Sequence, residues 1–238
     1  MNTIPIFAFP GNPSRFPTER PTTTIRSSHE RLEMHTSTPS TTLRNVMGLS
    51  NQLPRLSEST LIMIDFQNTY RTGVMALDGA EPALAAGSRL LERARAIGTP
   101  VIHVINDGGE NTPYDIRAEI GRISDEVAPL DSEPVIVKQF PNSFHATNLE
   151  DTLTELGKPV GSNLILAGFM THMCVMFTAQ GAFNLGYRPS VVAEATATRS
   201  LNSPTGHTLS VDSLQNASLT MITDLFGTVA PTVDAIAS

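Results

Sequence analysis

The chain has one cysteine in 238 residues. Cys174 lies in AGFMTHMCVMFTA (167–179), a short turn beyond the apolar run NLILAG (163–168) and just where a segment of helical period begins. Asp65 closes another apolar run, TLIMIDF (60–66), and Lys138 closes a third, PVIVK (134–138). A thiol, a carboxylate and an ammonium meeting in one crevice form a coherent chemical set. The carboxylate takes the thiol proton, the thiolate attacks an electrophilic carbon, and the cation balances the negative charge. A helix starting near Cys174 would lower the thiol pKa and offer unpaired backbone N–H groups to an oxyanion. Each residue also has an ordinary reading: Asp65 as a turn or capping residue, Lys138 as a solvated charge, Cys174 as a small buried hydrophobe. Three such residues at equivalent positions are harder to set aside than any one.

The elements that must position them follow from periodicity. Six short runs read as strands: 60–66, 100–105, 134–138, 163–168, 189–193 and 227–230, with β-branched enrichment and Gly or Pro at their ends. Between them, segments 81–98, 146–157, 173–186 and 207–227 repeat apolar residues at helical spacing, and Gly98 and Pro100 stop the first. Alternation of strand and helix predicts βαβ units, hence a three-layer α/β sandwich around a mostly parallel six-stranded sheet. Ligands of such sheets sit beyond the carboxyl ends of the strands, where all three residues fall.

Composition narrows the function classes. With 40% hydrophobic residues the chain can build one sizeable core. A net charge of -7 and no run of Lys or Arg removes the footprint of a nucleic-acid binder, leaving small-molecule chemistry or protein contacts. No apolar run approaches the ~20 residues that span a bilayer. A single cysteine forms no internal disulfide, which fits a reducing cytoplasm. Residues 1–40 are rich in Pro, Ser and Thr (PTERPTTTIRSS, HTSTPST) and read as a tail ahead of a domain over 41–238. The arginines of that tail are offset by Glu19, Glu30 and Glu33, and Met34 is an alternative start.

In order and spacing, IDFQNTY, VKQFPNSFHAT and AGFMTHMCVMFTAQGAFNLGY resemble the Asp, Lys and Cys motifs of the isochorismatase-like cysteine hydrolases, from about Ser57 to Pro231. That family includes nicotinamidases, N-carbamoylsarcosine amidohydrolases, ureidoacrylate and biuret hydrolases, streptothricin hydrolases and isochorismatases proper. The resemblance implies that Cys174 attacks a carboxamide carbon, that Asp65 moves the proton to the leaving amine, and that Lys138 holds both in register. It also implies a cis peptide at Phe169–Met170, an oxyanion hole from the backbone N–H groups of Met170 and Cys174, and a homodimer or homotetramer. Nicotinamidases carry an Asp-x-His metal pair after the second strand. Here HVINDGGENTPYDIR has Asp107 without that His, and His103 falls inside the strand as a core residue, so neither metal nor other cofactor is expected. Isochorismatases proper often lack the cysteine, so Cys174 favours hydrolysis of an amide, ureido or lactam compound. Vinyl-ether hydrolysis of the isochorismate type and a non-catalytic scaffold are the alternatives.

Beyond the three residues, Gln67 fits the family's D-x-Q pattern and joins Tyr70, Phe140 and Phe144 as candidate substrate-binding residues. His172, two residues before Cys174, would point away from it.

Overall fold

The computed structural model describes residues 41–238; the Pro/Ser/Thr-rich tail and Met34 lie outside the described residues. Six strands, β1 (Ser59–Ile64), β2 (Val101–Asn106), β3 (Val135–Lys138), β4 (Asn163–Phe169), β5 (Arg188–Ala197) and β6 (Thr228–Ala230), make one sheet. Its order is β3-β2-β1-β4-β5-β6 and every pairing is parallel. Among the described residues, four helices of seven or more residues accompany it: α1 (Ala80–Ala96), α2 (Leu149–Glu155), α3 (Met176–Leu185) and α4 (Val211–Met221).

The strands read as nearly continuous apolar runs because both faces of the sheet are covered. Side chains alternate across β1: Leu61 and Met63 pack with Leu84, Leu90 and Leu91 of α1, while Ile62 and Ile64 pack with Leu149 and Leu153 of α2 and Ala179 and Ala182 of α3. After β1 the chain proceeds to β2 and β3 on one side, then crosses back to place β4 on the other side of β1. The order therefore reverses between β1 and β4, and a crevice opens there at the carboxyl ends. Asp65 follows β1 and Cys174 follows β4.

Local departures from the sequence-based expectation have local causes. The first strand ends at Ile64 because Asp65 adopts φ 50°, which breaks the extended run. The second helix begins only at Leu149, since Ala146 has φ 55°. The fifth strand extends four residues beyond the predicted end, to Ala197, with a register shift against β4 between Leu166 and Gly168. Segment 207–227 is not one helix: Thr208–Leu209 pairs antiparallel with Leu201–Asn202, the Ser210 hydroxyl then accepts the Ser213 N–H to start α4, and Ile222–Phe226 winds into a wider π-type turn.

Glu133 ties α1 to the sheet edge. Arg95 grips its carboxylate with two hydrogen bonds of 2.8 and 2.7 Å, His103 Nε2 lies at 2.9 Å, and the Leu130 N–H donates at 3.0 Å. Burial alone would raise the Glu133 pKa, but these donors outweigh it and hold the carboxyl at about 2. His103 is buried and its pKa lowered by desolvation, so it serves as a neutral donor in the core. A carboxyl depressed from its unfolded value contributes stability above the unfolded pKa and loses it as pH falls through the folded one. Glu133→Gln is therefore expected to cost about 1–3 kcal/mol in urea unfolding at pH 7 and much less at pH 2, making the acid limb of the stability profile shallower. Equal costs at both pH values would contradict this role.

Candidate active site

Three strand-end side chains meet in the β1/β4 crevice. Lys138, the last residue of β3, reaches across the end of β2 to put Nζ 2.7 Å from Asp65 Oδ2, 3.2 Å from Cys174 Sγ and 3.4 Å from Asn106 Oδ1. Asp65 and Lys138 are 0% and 1% exposed, and Cys174 is 8% exposed. Asp65 is held by its own backbone, whose N–H donates to Val104 O at 2.9 Å and whose carbonyl accepts from Gln67 N–H at 2.7 Å. The Asp65 carboxylate pairs with the Lys138 ammonium, and the Cys174 thiol and the Asn106 backbone N–H also bear on it.

The electrostatics differ from the sequence-based expectation at the thiol. Burial raises the Cys174 pKa, the Asp65 charge raises it further, and Lys138 only partly opposes them, so the thiol is pushed up to about 12. The direction is opposite to the lowering expected from a helix terminus, because burial of the sulfur and then the Asp65 carboxylate beside it both favour the neutral thiol. Burial likewise raises Asp65, with Lys138 pulling it back. Burial works to lower Lys138, but Asp65, foremost, and Cys174 beside it raise it overall. The resting charge distribution is thiol, carboxylate and ammonium, which sums to zero in a dry site.

The backbone around Cys174 is equally specific. Gly168 has φ 134°, and a Cβ there would fall 1.8 Å from Ile64 O, so only glycine lets β4 close against β1 at this level. The Phe169–Met170 peptide is cis. Thr171–Val175 then forms a π-type turn leading into α3. The Met170 carbonyl accepts from Met173 N–H at 3.0 Å and Val175 N–H at 3.2 Å, passing over Cys174 N–H, and Met170 N–H has no acceptor among the described residues. The loop after Lys138 is pinned to this helix, where Ser143 N–H donates to Thr178 Oγ1 at 3.0 Å and Asn142 packs over Gly181.

A family model described as Isochorismatase domain matches residues 59–232. The chain belongs to the isochorismatase family. The secreted isochorismatase effector Isc1 of Verticillium dahliae is 30% identical, over 80% of this chain and 97% of that one. The ureidoacrylate amidohydrolase RutB of Stutzerimonas stutzeri is 29% identical, over 76% and 82%. Among solved structures, an isochorismatase from Pseudomonas putida KT2440 aligns with a TM-score of 0.77 at 36% identity, covering 82% of this chain and 99% of that chain.

Within this isochorismatase-family hydrolase, the residues expected to line the substrate site sort differently. Gln67 is fully buried and its amide is spent on structure: Nε2 donates to Asn106 O (3.0 Å) and Gly121 O (2.6 Å), and Oε1 accepts from Asn106 N–H (3.0 Å). It fixes Asn106, and with it the third acceptor around Lys138 Nζ. Phe144 stacks on Tyr187 with centroids 5.7 Å apart and serves the core, while Phe140 packs edge-on to His145 and is 46% exposed, so the expected apolar wall is not formed by this pair. Tyr70 does border the site, packed against Phe169 and Tyr114, and its hydroxyl pKa is pushed well up by burial and then by the Asp65 carboxylate. His172 turns to Thr198, with Nδ1 2.5 Å from its hydroxyl, and is held neutral by burial and Arg199.

Three residues were missed from sequence: Asn106, Tyr114 and Arg199. Asn106 ends β2, so the strand-end rule alone could have found it. Tyr114 comes from the irregular 107–134 loop and senses both Cys174 and Asp65. Arg199 follows β5, has no carboxylate partner and carries a buried Nε with no acceptor among the described residues; its charge reaches His172 and Tyr114.

The thiol's electrostatics give an unusual expectation for reactivity. A pKa near 12 leaves a thiolate fraction of about 10⁻⁴ at pH 8, so iodoacetamide should label the wild-type protein far more slowly than a free thiol. Asp65→Asn removes the charge that holds the proton on sulfur and leaves Lys138 in place, so labelling should accelerate by about tenfold or more. Rapid labelling of the wild type at pH 6 would contradict the assignment.

Proposed function

We propose that the protein is a cysteine-dependent amidohydrolase that cleaves the C–N bond of a small amide, ureido or lactam compound. The observation that carries this is the row of carboxylate, ammonium and thiol, with Lys138 Nζ 2.7 Å from Asp65 and 3.2 Å from Cys174 Sγ. The similarity to an amidohydrolase supports it.

In the proposed reaction, the Cys174 proton passes to Asp65 as Sγ forms a bond to the carbonyl carbon. The carbonyl oxygen becomes an oxyanion near the N–H groups of Met170 and Cys174; the Met170 carbonyl accepts from Met173 and Val175 and skips the N–H of Cys174 between them. The C–N bond then breaks, and Asp65 returns the proton to the leaving nitrogen. A water, deprotonated by Asp65, splits the resulting thioester to the acid and restores the thiol. Lys138 stays charged throughout, keeping Asp65 oriented and offsetting negative charge. With Cys174 only 8% exposed, a narrow approach favours a small substrate. The unpaired Arg199 guanidinium at the same end of the sheet favours one carrying a carboxylate.

The proposal includes a homo-oligomer in a reducing cytoplasm. The edge strand β3, with Val135 and Val137 43% and 48% exposed, is compatible with assembly, and no helix among the described residues is long and apolar enough to cross a membrane. Size-exclusion chromatography with light scattering reads the assembly directly.

Ammonia release from a panel of small amides and ureido acids should fall by about a thousandfold or more in Cys174→Ala, with a substrate-derived thioester adduct visible by mass spectrometry in the wild type. Pyruvate release from isochorismate that survives Cys174→Ala would instead select vinyl-ether hydrolysis with Asp65 as acid. Arg199→Gln should raise KM by about tenfold for carboxylate-bearing amides and leave neutral amides unchanged; equal effects on both would remove Arg199 from substrate recognition.

A further inference from the structure

The opposite end of the sheet carries a second concave feature. A cavity of about 570 Å³ opens at the amino ends of the strands, where Asn163 begins β4, Arg188 begins β5 and Thr228 begins β6. At ~3.3 Å per residue along β4 it lies about 20 Å from Cys174. It belongs to no step of the proposed hydrolysis.

Its charge is opposite to that of the chain. The protein carries a net -7, yet Arg44, Arg55 and Arg188 all line this cavity against one carboxylate, Glu58. None of the three guanidinium groups pairs with a carboxylate among the described residues. Arg44 is the telling case, because it is only 9% exposed. Its donors go to neutral acceptors alone: Asn51 Oδ1 at 3.2 Å, Leu225 O at 3.1 Å and the Ser50 carbonyl. A buried cation is ordinarily matched by an anion, since desolvation of an unmatched charge is costly. Here the neutral acceptors fix the guanidinium in place and leave its charge uncompensated. Arg188 is partly preset as well, with Nε donating to Asn163 Oδ1 at 2.9 Å, while Arg55, which accepts from the Ser59 hydroxyl through its carbonyl, has an exposed side chain with no carboxylate partner among the described residues. The remaining wall is mixed: Ser50, Gln52, Asn163, Ser190 and Thr228 are polar, and one apolar part is aromatic, with Phe183 and Phe226 in edge-to-face contact at 6.1 Å.

We propose that this cavity is a second ligand site, separate from the catalytic crevice, which takes a small organic oxyanion: a phosphate or carboxylate group facing the arginines and a flat apolar body against the two phenylalanines. Fork-shaped guanidinium donors suit the paired oxygens of such groups, and a partly enclosed setting strengthens the attraction.

Phenyl phosphate serves as the probe, titrated into the full chain by calorimetry and thermal melting, with sodium chloride at matched ionic strength and neutral phenol as controls. The expected result is a saturable melting rise with one site per chain, absent with phenol or chloride. Arg55→Gln/Arg188→Gln, which alters two exposed side chains and leaves the structural Arg44 intact, should weaken binding by about tenfold or more, while Cys174→Ser binds as the wild type does. No saturable binding, a rise equalled by chloride or phenol, unchanged affinity in the arginine double variant, or loss of binding in Cys174→Ser would each overturn the proposal. Because binding is read without turnover and in a variant lacking the thiol, its failure is distinct from failure of the hydrolase reading.

Discussion

The buried ion pair between Asp65 and Lys138 sets the terms for the rest of the molecule. Removing two charges from water costs several kcal/mol per ion, and only close, well-supported contact repays it. The two residues come from β1 and β3, which are not neighbours; β2 lies between them. Lys138 must therefore cross the end of β2, and Asp65 must leave its strand, which it does through a left-handed backbone at φ 50°. Asn106 sits at the crossing, and its side-chain carbonyl accepts from the ammonium while Gln67 fixes its backbone from both sides. Removing either partner of the pair would leave a charge buried without compensation, and loosening Asn106 or Gln67 would cost the geometry that holds the pair close.

This dependence also separates what was legible in the sequence from what was not. The sandwich could be read because both faces of a parallel sheet are covered, so its strands appear as apolar runs separated by helical periods. Parallel strands also present their carboxyl ends on one edge, so Asp65, Lys138 and Cys174 could be placed together without knowing any loop. Residues that depend on loop paths were not legible. Tyr114 reaches the crevice from a long irregular connection held by Asp115, which accepts the N–H groups of Asn111 and Arg117. Arg199 was hidden because β5 runs four residues past its apolar core, through Glu194 to Ala197, carried by pairing with β4 and not by its own pattern. Gln67 misled for a different reason. A polar side chain beside a reactive one looks like a ligand in sequence, whereas burial converts it into a brace whose every donor and acceptor is used.

The protonation state of Cys174 bears on how such a site would operate. A thiolate formed in advance would be attracted by Lys138 but repelled by Asp65, and in a crevice this buried, burial and the carboxylate together prevail. The neutral thiol is thus the stable ground state, and the site's net charge stays at zero until a substrate arrives. In the proposed reaction the proton moves to Asp65 only as negative charge leaves sulfur for the carbonyl oxygen, where backbone N–H groups wait. Charge is therefore never left on an unsolvated sulfur without a partner. Stabilisation reserved for the transition state raises the rate, whereas a stabilised resting thiolate would deepen the ground state and forfeit part of that gain. A high thiol pKa is on this argument no obstacle to the proposed nucleophilic catalysis; it is the consequence of burying the sulfur and of placing the Asp65 carboxylate, tied to lysine, against it.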